Sequence, residues 1–266
     1  MTVAETHSTA SPSRWRVRSR ALAFAAATGL ASVGLFLGLL VLAPLPRARA
    51  RWASLAQTLW ARASLRILRL RVTVAGDPPR PPFFLVSNHL SYVDILVIAS
   101  RLPCVFVSKA EVADWPVMGR VVRAVGTIFV DRARKGDVPR VLQALERAFA
   151  VGRGVVLFPE GTSSSGETVR PFRSPLLELP ARRGEPVYAA ALLYRTPPGE
   201  RPASEAVCWW SDVDLQRHAA GVLALPSIEA ELTFSPAPLH ELDRKQLANR
   251  LWQEVARLHR GLAAPG

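Results

Sequence analysis

Residues 83–94 read FFLVSNHLSYVD, and residues 155–166 read VVLFPEGTSSSG. Each begins as an apolar run rich in β-branched or aromatic side chains and then turns abruptly polar. Short runs of this kind, bounded by turn-forming residues, are buried strands. Working outward, the same pattern predicts strands over 72–75, 83–87, 104–108, 127–130, 154–158, 187–194 and 228–234. Helical spacing falls between them, over about 91–100, 116–125, 139–150, 175–182 and 239–262. Segments 197–204 and 211–226 read as loops or short irregular stretches. Strands alternating with helices predict an α/β domain over 72–266, with a mixed, largely parallel central sheet flanked by helices.

In such folds the chemistry sits at the carboxyl ends of strands. The first polar turn there holds Asn88 and His89, and the second holds Pro159, Glu160, Gly161 and Thr162. His89 stands five residues before Asp94, and Ser91 is a candidate helix cap between them. A histidine just ahead of a helix can meet a carboxylate in its first turn. The carboxylate then holds one ring nitrogen and leaves the other free to take a proton from a hydroxyl. Read singly, Asp94 could be a simple cap and His89 a structural histidine.

A covalent nucleophile finds no support. Gly161–Gly166 is not a G-x-S-x-G elbow, and Glu167 stands where a phosphate-binding loop needs Lys. Cys104 and Cys208, the two cysteines, form no C-x-x-C, so neither a zinc site nor a disulfide framework is indicated. His7, His218, His240 and His259 are isolated and read as structural or solvated.

The chain has 266 residues, 34 Lys and Arg, 21 Asp and Glu, and a formal charge of +13. That charge fits either nucleic acid or an anionic membrane. Its placement separates the two. Residues 1–71 hold eleven arginines and one acid, a net of +10, and residues 72–266 carry the remaining +3. A nearly neutral folded body is not a nucleic-acid surface. With about half the residues apolar, a disordered polar chain is also excluded.

The basic quarter carries the longest apolar run, residues 21–45, ALAFAAATGLASVGLFLGLLVLAPL. As a helix it is about 37 Å long, enough for a hydrocarbon core of about 30 Å. It reads as a span or as a helix that enters one leaflet and returns. It is too long for an ordinary cleaved leader, although Arg14–Arg20 and Ala48-Arg49-Ala50 have that look. Residues 51–70 follow with Trp52, Leu55, Ala56, Leu59, Trp60, Ala63, Ile67 and Leu70 on one helical face. Arg62, Arg66 and Arg69 lie on the other. A basic amphipathic helix with Trp on its apolar face suits a membrane interface; the alternative is packing on its own domain. Residues 1–71 are therefore expected to attach the protein to the anionic cytoplasmic leaflet, with the catalytic domain on the cytoplasmic face.

Four ordered blocks resemble those of the glycerolipid acyltransferases. They are Asn88-His89-Leu-Ser-Tyr-Val-Asp94 (H-x4-D), Gly126-Thr-Ile-Phe-Val-Asp131-Arg132, Phe158-Pro159-Glu160-Gly161-Thr162 (F-P-E-G-T) and Val187-Tyr-Ala-Ala-Ala. The resemblance covers roughly residues 70–235 and is nearest to the 1-acylglycerol-3-phosphate acyltransferases and the lyso-ornithine lipid acyltransferases. It implies an O-acyltransferase that needs no metal or other cofactor and takes acyl-CoA or acyl-carrier protein as donor. His89 would be the base and Asp94 its orienter. Glu160, Gly161, Thr162, Arg132 and Arg173 would bind the acceptor, with Arg132 gripping an anionic headgroup. The expected acceptor is 1-acylglycerol-3-phosphate, with a lyso-ornithine lipid or another lysolipid as the alternative. The alternative arises because Ser163 stands where phosphatidate-forming members usually place Arg after F-P-E-G-T. Arg170 and Arg173 could supply that charge from downstream.

Overall fold

The computed structural model describes residues 14–115, 118–131, 134 and 136–264. Seven strands form one sheet: β1 (Leu70–Ala75), β2 (Phe84–Ser87), β3 (Cys104–Lys109), β4 (Ile128–Val130), β5 (Gly154–Leu157), β6 (Val187–Arg195) and β7 (Ile228–Phe234). Their spatial order is β1-β7-β6-β2-β5-β3-β4. Strands β6, β2, β5, β3 and β4 run parallel; β7 is antiparallel to β6, and β1 runs parallel to β7. Every strand foreseen in the sequence is present, within two residues at each end.

Nine helices accompany the sheet among the described residues. They are α1 (Arg14–Val41), α2 (Pro46–Leu68), α3 (Val93–Ala99), α4 (Met118–Ala124), α5 (Val138–Ala150), α6 (Glu178–Arg183), α7 (Ala203–Ala206), α8 (Leu215–Ala224) and α9 (Arg244–Ala263). Alternating side chains send Leu85 and Val156 to a core shared with α2, α3 and α8, and Phe84, Val86, Val155 and Leu157 to a core under α5, α6 and α9. With both faces covered, the central strands are apolar almost without interruption.

The segment 211–226 departs from its reading as a loop, because it holds α8. The signal was Asp214, whose carboxylate accepts the N–H of Gln216 and of Arg217 and so caps the helix start.

The N-terminal region also differs from its expected boundaries. Helix α1 begins at Arg14 rather than near residue 21, and it ends at Val41 before Pro44 and Pro46. Pro46 then opens α2, where a missing N–H costs nothing. The early start has a physical cause. Arg16 donates to Ala224 O, and Arg20 donates to the carbonyls of Leu223, Leu225 and Pro226. Two of the tail's arginines thus complete the carboxyl end of α8.

The two long helices form an antiparallel hairpin. Trp60 Nε1 donates to Thr28 Oγ1 at 3.0 Å, and Trp52 Nε1 to Leu35 O at 3.3 Å. Gly38 lies directly under the Trp52 indole, which any Cβ would strike. The two Trp of the foreseen apolar face therefore turn to α1. The buried face of α2 is Ala53, Ser54, Gln57, Ala61, Ser64, Leu65 and Leu68. That face packs on the domain, where Arg62 donates to Ser100 O and the buried Arg153 donates to Ser54 Oγ, Val125 O and Cys104 O. Leu35 is the one buried residue of α1 among those described, while Leu22, Leu30, Val33, Leu37, Leu40, Leu55 and Leu59 are exposed. By length and composition α1 is long and apolar enough to cross a membrane.

Candidate active site

Strands β2 and β5 are parallel neighbours in register, Phe84 opposite Val155 and Val86 opposite Leu157. Their carboxyl ends therefore lie side by side, and the two polar turns meet. Asn88 fixes the end of β2 against β6: its amide donates to Leu192 O at 2.9 Å and accepts Leu192 N–H at 2.8 Å.

His89 Nδ1 lies 2.7 Å from Asp94 Oδ2. The same oxygen accepts the N–H of Leu90 at 2.7 Å and of Ser91 at 3.0 Å. Asp94 thus makes the return half of the foreseen capping arrangement. The Ser91 hydroxyl does not make the other half, and it is buried with no hydrogen-bond partner among the described residues. Asp94 is fully buried, whereas the His89 side chain keeps 23% of its surface exposed. The Phe158 ring stacks on the imidazole, with centroids 4.3 Å apart and planes 17° apart. Carboxylate and ring together fix the plane of His89, and the Nδ1 contact leaves Nε2 for chemistry.

Glu160 turns inward. Its two oxygens accept the N–H of His89 at 2.8 Å and of Arg170 at 3.2 Å. Burial pushes its carboxyl up to about 7, although both N–H donors favour the charged form. The residue foreseen as an acceptor contact is thus a tie between the two turns. Ser164 closes the same tie from the other side, donating its N–H to His89 O at 2.9 Å.

Gly161 has φ +79°, a left-handed conformation that suits glycine, and a Cβ there would sit 3.1 Å from Arg173 Nε. The Arg173 side chain therefore lies over the F-P-E-G-T turn, and the Arg173 backbone N–H donates to Pro159 O at 2.9 Å. Thr162 and Arg173 are exposed. Arg132 lies outside the described residues. Ser163 donates its hydroxyl to Trp209 O, and Trp209 N–H donates to Leu90 O at 2.8 Å. The segment around Trp209 is thereby fastened to both turns.

Two residues of this site were not foreseen. Tyr194, on β6, donates its hydroxyl to Asp94 Oδ1 at 2.8 Å. Trp252, on α9, donates to Val169 O and steadies the loop beyond Ser164. Neither lies in a motif, and only the paired strands and the packed helix bring them in. Cys208 is close to Asp94, but burial and that negative charge push its thiol up to about 12, so it is no nucleophile. Among the described residues, no group of three or more His, Cys, Asp or Glu is arranged to hold a metal. Chemically, an imidazole held in this way at the mouth of a parallel sheet is able to take a proton from a hydroxyl.

A family model described as acyltransferase matches residues 70–192, which contain every part of this site except the Trp209 segment, Tyr194 and Trp252. A lyso-ornithine lipid O-acyltransferase of Pseudomonas aeruginosa is 33% identical over 227 residues, covering 84% of this chain and 82% of that protein. The chain belongs to the acyltransferase family. A 1-acyl-sn-glycerol-3-phosphate acyltransferase of Neisseria gonorrhoeae is 28% identical over 165 residues, 59% of this chain and 65% of that protein. The crystal structure of the 1-acyl-sn-glycerophosphate acyltransferase PlsC from Thermotoga maritima shares the fold. Its TM-score is 0.67 at 19% identity, over 94% of this chain and 99% of that one. The protein is thus an acyltransferase with an α/β catalytic fold, and its apolar N-terminal helix associates it with membranes.

Proposed function

We propose that this acyltransferase moves an acyl group from a thioester to the hydroxyl of a lysolipid at the membrane surface. The observation that carries the reading is the His89–Asp94 pair, tied through Glu160 to the F-P-E-G-T turn, in a chain whose α1–α2 hairpin exposes apolar side chains. His89 Nε2 takes the proton of the acceptor hydroxyl as its oxygen attacks the thioester carbonyl of acyl-CoA or acyl-carrier protein. The tetrahedral intermediate collapses, the ester forms, and the thiolate leaves with the proton returned by His89. Asp94 holds the ring and faces the imidazolium that forms. Gly161, Thr162 and Arg173 line the acceptor side, and Arg132 is assigned to an anionic headgroup on the family resemblance alone. The reaction draws on no cofactor.

Two acceptors are compatible with the family. Ser163 favours a lyso-ornithine lipid, because its hydroxyl is committed to Trp209 O and brings no cation to the turn. The Pseudomonas aeruginosa relative is named for that activity. Arg173 over Gly161 favours 1-acylglycerol-3-phosphate, for which the Neisseria gonorrhoeae relative is named. A panel of lyso-ornithine lipid, lysophosphatidate and neutral monoacylglycerol, each with one acyl donor, decides between them. Higher kcat/KM on lyso-ornithine lipid supports the first reading, and preference for lysophosphatidate supports the second. Turnover on neither sinks the lysolipid assignment.

The membrane attachment we infer is a hairpin that enters one leaflet, rather than a span. Contacts from Arg16 to Gly38 fasten α1 along α8 and α2, and α2 is itself fastened to the domain. A helix held this way cannot cross a bilayer while the domain stays outside. Residues 1–71 then form the attachment unit and 72–266 the catalytic unit, on the cytoplasmic face where acyl thioesters are made and anionic lipid attracts arginine.

A further inference from the structure

We propose that Tyr194 is a positioning residue of the reaction, the donor that holds Asp94 in place behind His89. The inference rests on the His89–Asp94 reading above and extends it to a side chain outside every motif.

Asp94 Oδ2 is fully occupied, by the ring nitrogen of His89 and the backbone N–H of Leu90 and Ser91. Those contacts fix one oxygen but leave the carboxylate free to turn about it. The second oxygen has one hydrogen-bond donor among the described residues, the Tyr194 hydroxyl at 2.8 Å. Both side chains are buried, Asp94 at 0% exposure and Tyr194 at 4%, so water does not take the place of that donor. The phenol is itself held rigidly. Tyr194 lies on β6 two residues beyond Leu192, whose N–H and carbonyl are both bound by the Asn88 amide next to His89. The base, its orienter and the orienter's anchor thus share one hydrogen-bonded frame across β2 and β6. Burial and the charge of Asp94 raise the phenol well above its ordinary range, so it stays a donor.

Donation to Oδ1 spreads the carboxylate charge and tempers its pull on the imidazolium. Removing it leaves the whole carboxylate charge facing the imidazole and the carboxylate free to turn. Among the described residues, the other titratable groups near Asp94 and His89 are Glu160 beyond the end of β5, Cys208, and Tyr92, whose hydroxyl meets His218 on α8. None of them donates to Oδ1.

The test is Tyr194→Phe, which keeps the ring and removes the hydroxyl. We expect kcat to fall roughly tenfold and the acid limb of the kcat profile to move about half a pH unit higher, with KM for the acyl donor unchanged. Thermal melts and active-site titration correct for any loss of folded enzyme. In an Asp94→Asn background, the same change should cost less than threefold, because the anion it serves is gone. An unmoved acid limb, or equal losses in both backgrounds, would overturn the proposal. If His89→Ala retains turnover, the underlying reading fails instead. If that variant is inactive while Tyr194→Phe behaves as wild type, only the role of Tyr194 is lost.

Discussion

Asparagine in place of Asp94 separates the chemical role of the carboxylate from its structural one. Asp94 is buried and meets four donors: His89 Nδ1, Leu90 N, Ser91 N and the Tyr194 hydroxyl. An asparagine can keep its oxygen toward the first three and turn its amide to the Tyr194 oxygen, which accepts. Shape, packing and caps survive, and only the negative charge facing the imidazolium is lost. A hydrogen bond to a charged partner contributes about 1.5–3 kcal/mol against about 1 for a neutral one. Adding the loss of the ion pair in a dry site, the transition state rises by about 3 kcal/mol, or roughly a hundredfold in kcat. Asp94→Ala is different, because it strands Leu90 N, Ser91 N and the Tyr194 hydroxyl. At about 1–2 kcal/mol each, it should lose on the order of 4 kcal/mol of stability as well as activity. The assay is thiol release from an acyl thioester by the protein in lipid vesicles, beside thermal melts of each variant. An Asp94→Asn enzyme that turns over at the wild-type rate would refute the orienter role. So would an asparagine variant as unstable as the alanine variant, since the caps should persist.

Glu160 predicts a pH dependence of stability. A carboxyl raised from 4.5 to about 7 contributes stability that is present in acid and lost as pH rises through that window. The loss is roughly 3 kcal/mol at about 1.4 kcal/mol per unit. The Tm of wild type relative to Glu160→Gln should therefore fall between pH 4.5 and 7 and then level off; parallel curves would count against the buried tie. Leu30→Gln with Leu40→Gln removes two side chains that are 78% and 74% exposed on α1. At about 1.5 kcal/mol each, vesicle binding in a flotation assay should weaken roughly a hundredfold. Undiminished binding would place the membrane face elsewhere. Arg153→Ala strands the carbonyls of Val125 and Cys104 and frees Ser54 of α2, so Tm should fall by roughly 10 °C for a loss of about 3 kcal/mol. A Tm within a degree or two of wild type would show that Arg153 does not pin the hairpin to the sheet.

What the sequence revealed, and what it hid, divides along local and long-range physics. Strands announce themselves through contiguous apolar runs, so β2 and β5 and the polar turns after them were legible, and with them His89, Asp94 and Glu160. The inward turn of Glu160 was not, because it depends on the register of β2 against β5. Tyr194 looked like the last apolar residue of a strand; its hydroxyl matters only because Asn88 locks β6 to β2. The helix at 215–224 was hidden by a glycine-containing, half-polar pattern, although Asp214 is a usable cap. The N-terminal arginines were read by charge alone, as membrane attraction. Arg16 and Arg20 instead complete the carboxyl end of α8, a contact across more than 200 residues that no local pattern encodes.

The most direct test of the account is the turnover of His89→Ala on a lysolipid acceptor, in protein shown to be folded and vesicle-bound. Removal of the base should lower kcat by at least about a thousandfold while the melt and membrane binding stay close to wild type. An alanine variant that transfers acyl groups within about tenfold of the wild-type rate would contradict it.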